Sequence, residues 1–365
     1  MTDPSTPPTS GSGRKVRVAL VFGGRSGEHS ISAATAAGVM KAIDREKYDV
    51  LPVGITRDGE WVLPSADARF ELTSGALPEV TTEGGTEIAG LAEAGPVDVV
   101  FPLLHGPYGE DGTIQGLLEL AGVRYVGAGV LASAVGMDKA YMKLVFAGHG
   151  LPVGPYVVVK PRDWEQRASE VVDRVSRELA FPVFVKPARA GSSLGVTRVD
   201  DVSGLADAIE EARFHDPKVL VEQGIEGREI ECAVLGGRGG GAPRASVPGE
   251  IVVDHDEAAF YDFESKYLSA THARTDAPAD LPADVAERVH ELAVAAFEAI
   301  GAEGLSRVDC FVTPDGEVLL NEINTMPGFT PISMYSQMWE ASGLSYTDLV
   351  DELIQLALER PVGLR

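Results

Sequence analysis

Apolar runs alternate with glycine-marked polar turns along the first third of the chain. Val16-Arg17-Val18-Ala19-Leu20-Val21-Phe22 has the apolar density of a buried strand, and Gly23-Gly24 ends it. A helix is expected from about Ser30 to Ile43, a second strand from Asp49 to Ile55 and a turn at Arg57-Asp58-Gly59. Residues 64–96 show little periodicity and are expected to include a loop. Val97 to Leu104 reads as a strand, followed by a polar turn and a helix from about Thr113 to Ala121. This alternation predicts an open parallel α/β sheet with helices on its faces.

From about Lys139 the pattern changes. Strands are expected at Phe181–Lys186 and Val196–Val199, joined by a Gly/Ser loop. A helix near Val202–Phe214 precedes a strand at Lys218–Glu222, and Gln223 to Gly227 reads as a linker. Then come a strand at Glu229–Leu235, a loop at Gly236–Gly241 and helices at Pro282–Ile300 and Tyr346–Glu359. Strands partly joined by hairpins point to α+β architecture rather than a second doubly wound sheet.

Composition narrows the function classes. With 365 residues, 44% hydrophobic and 24% charged, the chain has the make-up of a globular protein of two or three domains. Its 31 basic and 55 acidic residues give a net charge of -24, which repels nucleic acid and anionic lipid. No apolar run is long enough to span a membrane. Met1 to Lys15 is rich in Pro, Ser, Thr and Gly and reads as a disordered tail, not a signal peptide. Cys232 and Cys310 form no CxxC pair and suit a reducing compartment. A soluble cytoplasmic enzyme is expected.

Two short patterns compete for the chemistry. Gly127-Ala128-Gly129 follows an expected strand, as in dinucleotide sites, but no acidic residue stands about 20 positions on to hold a ribose. Gly191-Ser192-Ser193-Leu194-Gly195 matches the nucleophile elbow, yet it runs into a strand where the elbow needs a helix. A Walker A loop is absent, because the chain has no Gly-Lys dipeptide.

The strongest local inference lies near the C-terminus. Arg307–Val312 and Val318–Asn324 read as strands around Thr313-Pro314-Asp315-Gly316, and Asp-Gly is a strong two-residue hairpin signal. With that loop, Asp309 faces Glu322 and Arg307 faces Asn324, all on one side of the hairpin. Opposed carboxylates repel. A hard divalent cation such as Mg²⁺, completed by phosphate oxygens, resolves the repulsion, and Arg307 can then stabilise an anionic transition state. The alternative is a solvated face with scattered charges.

Other candidates are weaker alone. The loop Ala188–Gly195 can cradle phosphate, with Lys186 at its entrance. Only nine basic residues are Lys, so Lys139, Lys186 and Lys266 beside turns suggest a need for compact charge. Gly23 to Ser30 and His105 to Gly112 both follow strands, where Glu28 could hold a substrate ammonium.

Taken together, the segments GGRSGEHSIS, LHGPYGEDGTIQG, MDKAYMK, VKPARAGSSLGV, VEQGIEGREIECAVL, YDFESKYLS, RVDCF and NEINTMPGFTPISM resemble the D-alanine–D-alanine ligase family of the ATP-grasp superfamily. The resemblance runs from Val16 to about Leu358. It implies three domains: an N-terminal α/β domain at 16–135 after a tail at 1–15, then two ATP-grasp lobes at 136–225 and 226–365. It implies ligation of two D-alanines through an acyl phosphate, for peptidoglycan precursors, with ATP and two Mg²⁺ ions, Mn²⁺ being an alternative. Lys139, Lys186 and Lys266 would serve the ATP phosphates, Glu222 the adenine and Glu229 the ribose, and Ser193 would also bind ATP. Asp309, Glu322 and Asn324 would hold the metals. Glu28 would bind the first D-alanine's ammonium, with His105 near its carboxylate, and Tyr267, Ser192 and Glu28 would form a hydrogen-bonded trio. Arg307 and the N–H of Gly328 would form the oxyanion site. Ser333 would bind the second carboxylate and Met334 would line the methyl pocket. Gln223, where relatives can carry a basic residue, and Met334, where leucine is frequent, depart from the pattern. A homodimer is expected from the family. Another ATP-grasp carboxylate–amine ligase, or a D-alanyl–D-lactate-type ligase, is the competing reading.

Overall fold

The computed structural model describes residues 14–65, 67–70, 77–253 and 273–362. Residues 1–13 of the expected tail, and Lys266 and Tyr267 with the whole YDFESKYLS segment, lie outside the described residues.

The first sheet comprises β1 (Val16–Gly23), β2 (Tyr48–Ile55), β3 (Trp61–Leu63), β4 (Thr86–Ile88), β5 (Val99–Pro102) and β6 (Arg124–Tyr125), in the order β4-β3-β2-β1-β5-β6. β1 runs parallel to β2 and β5, and its last six residues are all buried, as a strand covered on both faces requires. Helix α1 (His29–Ala42) crosses from β1 to β2. Its Ser and Ala side chains let it sink between neighbours, and the Ser32 hydroxyl accepts from Gly23 N–H at 2.8 Å and donates to the Leu103 carbonyl. The stretch 64–96, where a loop is expected, also contains β4, which pairs with β3. These strands have only three residues each, too short for periodicity to register. Helices α2 (Thr113–Ala121), α3 (Val130–Met137) and α4 (Lys139–Gly148) follow, and Asp138 caps α4 by accepting from Ala140 N–H at 3.2 Å.

The second sheet is antiparallel, ordered β7-β10-β8-β9: β7 (Tyr156–Val159), β8 (Val183–Pro187), β9 (Thr197–Val199) and β10 (Val219–Gln223). Helices α5 (Pro161–Glu178) and α6 (Leu205–His215) cover it through Trp164, Val171, Val175, Leu205 and Ile209.

The third sheet runs β14-β13-β11-β15-β16, with β12 also on β11: β11 (Arg228–Leu235), β12 (Arg244–Ala245), β13 (Gly249–Val253), β14 (Ala273–Asp276), β15 (Leu305–Val312) and β16 (Val318–Asn324). Helix α7 (Ala283–Ala299) buries Val285, Val289, Leu292, Ala293 and Ala296 against it, a stripe of helical spacing. The last helices, α8 (Met334–Ala341) and α9 (Tyr346–Glu359), return to the N-terminal sheet, where Leu349, Leu353 and Ile354 share a core with Leu20, Phe101 and Ala33.

The β15–β16 hairpin corrects the expected turn. Thr313 N–H bonds the Glu317 carbonyl at 2.9 Å, so the loop has three residues and Gly316 takes φ +85°. Val312 pairs with Val318 and Cys310 with Leu320, one position off the expected register. A bulge at Asn321 then restores it, so Asp309 faces Glu322 and Arg307 faces Asn324 as predicted.

Candidate active site

A cavity of about 790 Å³ lies between the second and third sheets. Ten sequence-predicted residues line it: Lys139, Lys186, Ser192, Ser193, Glu222, Glu229, Arg307, Asp309, Glu322 and Asn324. The floor is one face of the third sheet. Glu231 on β11 sits opposite Asp309 on β15, which sits opposite Glu322 on β16, so three acidic residues cross the sheet in a row. The chain counters this charge itself. Arg307 grips Asp309 through two bonds, Nε–Oδ1 at 2.7 Å and Nη2–Oδ2 at 2.6 Å, and its Nε lies 3.2 Å from Glu231. Burial works against the Arg307 charge, but Asp309 and Glu231 outweigh it and hold the guanidinium firmly protonated. Asn324 Nδ2 donates to Asp309 at 3.1 Å, and Lys139 Nζ lies 3.6 Å from Glu322. Two carboxylates and an amide oxygen on adjacent strands are the hard donors that Mg²⁺ takes, so the residues fit that ion.

The opposite wall carries lysines. Lys139, the first residue of α4, bonds the Ala190 carbonyl at 2.9 Å and so ties the helix to the Gly/Ser loop. Lys186 on β8 contacts the Glu222 carboxylate on the neighbouring β10. Lys143, one turn after Lys139, lies 2.7 Å from the other Glu222 oxygen. Burial alone would raise the Glu222 pKa; the two lysines outweigh it and hold the carboxyl at about 2. Gln223 turns its side chain away, accepting from Ala180 N–H at 2.9 Å.

The loop after β8 closes the site toward the N-terminal sheet. Ser192 and Ser193 both adopt left-handed backbone conformations, φ +50° and +58°, which cost non-glycine residues roughly 1–3 kcal/mol each. In this conformation the Ser192 hydroxyl donates to Glu28 Oε1 at the head of α1. Glycines make room for that carboxylate: a Cβ on Gly106 would lie 2.6 Å from Glu28 Oε2, and one on Gly191 at 3.1 Å. His105 and Glu110 clamp Met326, which follows β16: His105 Nδ1 meets its carbonyl at 3.0 Å, and Glu110 Oε1 accepts its N–H at 3.2 Å. Burial, then the Glu28 charge, pushes the Glu110 carboxyl up to about 8, and burial pulls the His105 imidazole down.

Gly328 lies in the segment between β16 and α8. Ser333 precedes α8, and its hydroxyl accepts from Thr330 N–H at 3.0 Å. Met334 is buried in the core shared with the N-terminal sheet, its sulfur beside Gly249. Neither residue lines the main cavity. Sequence reasoning missed Lys143, Glu231 and Glu110. Glu231 had a signal, because Glu229 and Glu231 alternate with apolar residues and so share a face with the metal-type carboxylates.

Comparison with known proteins agrees with this geometry. Family models described as the D-ala D-ala ligase N-terminus and C-terminus match residues 17–128 and 145–355. The chain is 60% identical over 382 residues to a D-alanine–D-alanine ligase of Paenarthrobacter aurescens, with all of both chains covered. It is 58% identical to one of Streptomyces coelicolor, covering 96% of this chain and 95% of that one. Among solved structures, the D-alanine-D-alanine ligase from Coxiella burnetii superposes with a TM-score of 0.77 at 36% identity, covering 95% and 94% of the two chains. The VanG D-Ala:D-Ser ligase from Enterococcus faecalis does so with a TM-score of 0.79 at 37% identity, covering 94% and 100%. A cleft walled by lysines on one side and by carboxylates with an arginine on the other, matched along nearly the whole chain, makes this protein a member of the D-alanine–D-alanine ligase family of ATP-dependent ligases.

Proposed function

We propose that this chain joins two D-alanines into D-alanyl-D-alanine at the expense of ATP, in the cytoplasm, supplying a cell-wall precursor. The observation that carries the reading is the convergence of Lys139, Lys186, Arg307, Asp309, Glu322 and Asn324 on one cavity, with Ser192 linking it to Glu28.

In this reading ATP lies between the second and third sheets, Glu222 meets the adenine and Glu229 the ribose. Lys139 and Lys186 turn from their carboxylate partners to the phosphates. Asp309, Glu322 and Asn324 would hold two Mg²⁺ ions, which supply charge neutralisation for an in-line phosphoryl transfer. Glu28, fixed by Ser192, binds the first D-alanine's ammonium and leaves its carboxylate free to attack the γ-phosphorus; the bond from that phosphorus to ADP breaks. The second D-alanine, held by Ser333 and having released one ammonium proton to solvent, then attacks the acyl carbon, and its next N–H proton departs with the phosphate as the amide forms. Arg307 and the Gly328 N–H receive the developing oxyanion, and phosphate leaves as the amide forms. Leu120 on α2 and Leu131 on α3, both exposed, support a homodimer.

The test is phosphate release from ATP and Mg²⁺ with D-alanine, L-alanine or neither, with the product identified by mass. D-alanine-dependent release with dipeptide is expected; ATP turnover without dipeptide would reject the substrate assignment. The D-Ala:D-Ser ligase among the structural relatives makes D-serine a useful second acceptor in the same assay.

A further inference from the structure

Lys143 has no part in the reaction outlined above, yet among the described residues it is one of the most enclosed charges. Its side chain is 3% exposed. Its Nζ sits 2.7 Å from Glu222 Oε1 and 5.9 Å from the centroid of the Tyr156 ring. Glu222 therefore has two cations, Lys143 from α4 on one oxygen and Lys186 from β8 on the other, with Tyr156 on the adjoining β7.

The two lysines are not equivalent. Lys186 stands at the entrance of the Ser192-Ser193 loop, and an entering polyphosphate competes for it. Lys143 is enclosed between Glu222 and the Tyr156 ring, so its charge stays with Glu222. A carboxylate that keeps a dedicated cation stays ionised, and an ionised carboxylate can only accept hydrogen bonds. A 6-aminopurine offers such an acceptor an N–H donor. A 6-oxopurine offers a carbonyl, and two acceptors then face each other in a buried site. Without Lys143, Glu222 would share its one remaining cation with the phosphates; once protonated, it could donate to that carbonyl.

We propose that Lys143 is a specificity-determining positioning residue, which locks Glu222 as an acceptor and so makes the cleft take adenine nucleotides and reject 6-oxopurine nucleotides. The inference rests on the reading above, in which Glu222 meets the adenine.

The experiment compares ATP and ITP as phosphoryl donors with D-alanine for wild type, Lys143→Met, Lys143→Arg, Glu222→Gln and the Glu222→Gln/Lys143→Met double variant. In Lys143→Met the KM for ATP should rise about tenfold and the ATP-to-ITP ratio of kcat/KM should fall about tenfold, the scale of one charge-assisted hydrogen bond. The KM for D-alanine should stay as in wild type, and Lys143→Arg should restore most of the ratio. In the Glu222→Gln background, Lys143→Met should leave the ratio where Glu222→Gln alone puts it. An unchanged ratio in Lys143→Met, or equal loss with both nucleotides and a lowered Tm, would assign Lys143 a structural role and overturn the inference while leaving the ligase reading intact. Wild type that fails to discriminate between the nucleotides would overturn it equally. Absence of D-alanine-dependent turnover in wild type would remove the ligase reading and this inference together.

Discussion

Ser192 and Glu28 stand 164 residues apart in the chain, yet the serine hydroxyl donates directly to the glutamate carboxylate. The contact joins the loop after β8 to the head of α1, so the phosphate-side loop and the proposed ammonium site are set by one bond. Ser192→Ala should lower kcat/KM for D-alanine about 10- to 100-fold, the range for losing a hydrogen bond to a charged group. The KM for ATP should change little, and initial rates at varied D-alanine check both. Gly106→Ala should mimic the effect by crowding Glu28 from the other side.

Arg307 holds Asp309 in a fork and neutralises the buried Glu231. Arg307→Ala removes this cation from both buried carboxylates, so stability should fall by about 3–5 kcal/mol. Arg307→Lys keeps the charge but not the two-point geometry. Its Tm should lie near wild type while dipeptide formation falls by about 10²–10³-fold, as the proposed role of Arg307 as an oxyanion donor requires. Urea melts and product formation by mass separate the two effects.

Asp309 and Glu322 face each other across the β15–β16 ladder. Glu322→Gln should shift the Mg²⁺ concentration for half-maximal phosphate release upward by about tenfold or more, because the proposed metal site loses one charged oxygen donor. Chelation of the wild type should abolish release and added Mg²⁺ should restore it. Release that is indifferent to both would refute the metal assignment.

Glu110 carries a pH dependence. Burial and Glu28 raise its folded pKa from the ordinary 4.5 to about 8, so the folded state binds this proton more tightly than the unfolded chain does. The stability it contributes is full below about 4.5, declines as pH rises toward about 8 and is flat above that. The slope approaches at most ~1.4 kcal/mol per pH unit. Glu110→Gln cannot ionise, so the difference in unfolding free energy between wild type and variant should drift against wild type from pH 5 to 8. A pH-independent difference would contradict the neutral Glu110 carboxyl.

Leu120 and Leu131 are exposed on neighbouring helices. If these side chains join two copies, Leu120→Asp should convert the dimer to monomer in sedimentation velocity, with activity per chain measured alongside.

Much of this fold could be read in advance because its signals are local. The apolar density of β1, the stretches that became α2 and α9, and the β16 strand were each legible from a handful of neighbouring residues. The carboxylate row on β15 and β16 was legible too, and so was the turn at Thr313–Gly316, although the length of its loop was not. A three-residue loop and a bulge at Asn321 offset each other, and burial of Val318, Leu320 and Ile323 holds the register against α7. Helix α5 escaped notice because only Trp164, Val171 and Val175 of its residues are buried, too sparse a stripe to stand out among charges.

By itself the sequence determined the alternation of strands and helices, the motif order and the residue types offered to the nucleotide and metal. Only the tertiary structure decided which charges meet. Lys143 finds Glu222, Ser192 finds Glu28, and Glu110 finds Met326 because α4, the loop after β8 and the segment after β16 are brought together by packing between separate sheets. A hydrogen bond or ion pair acts over a few ångströms, whereas the partners lie tens to hundreds of residues apart. No periodicity within one segment encodes that proximity; burial of apolar faces creates it.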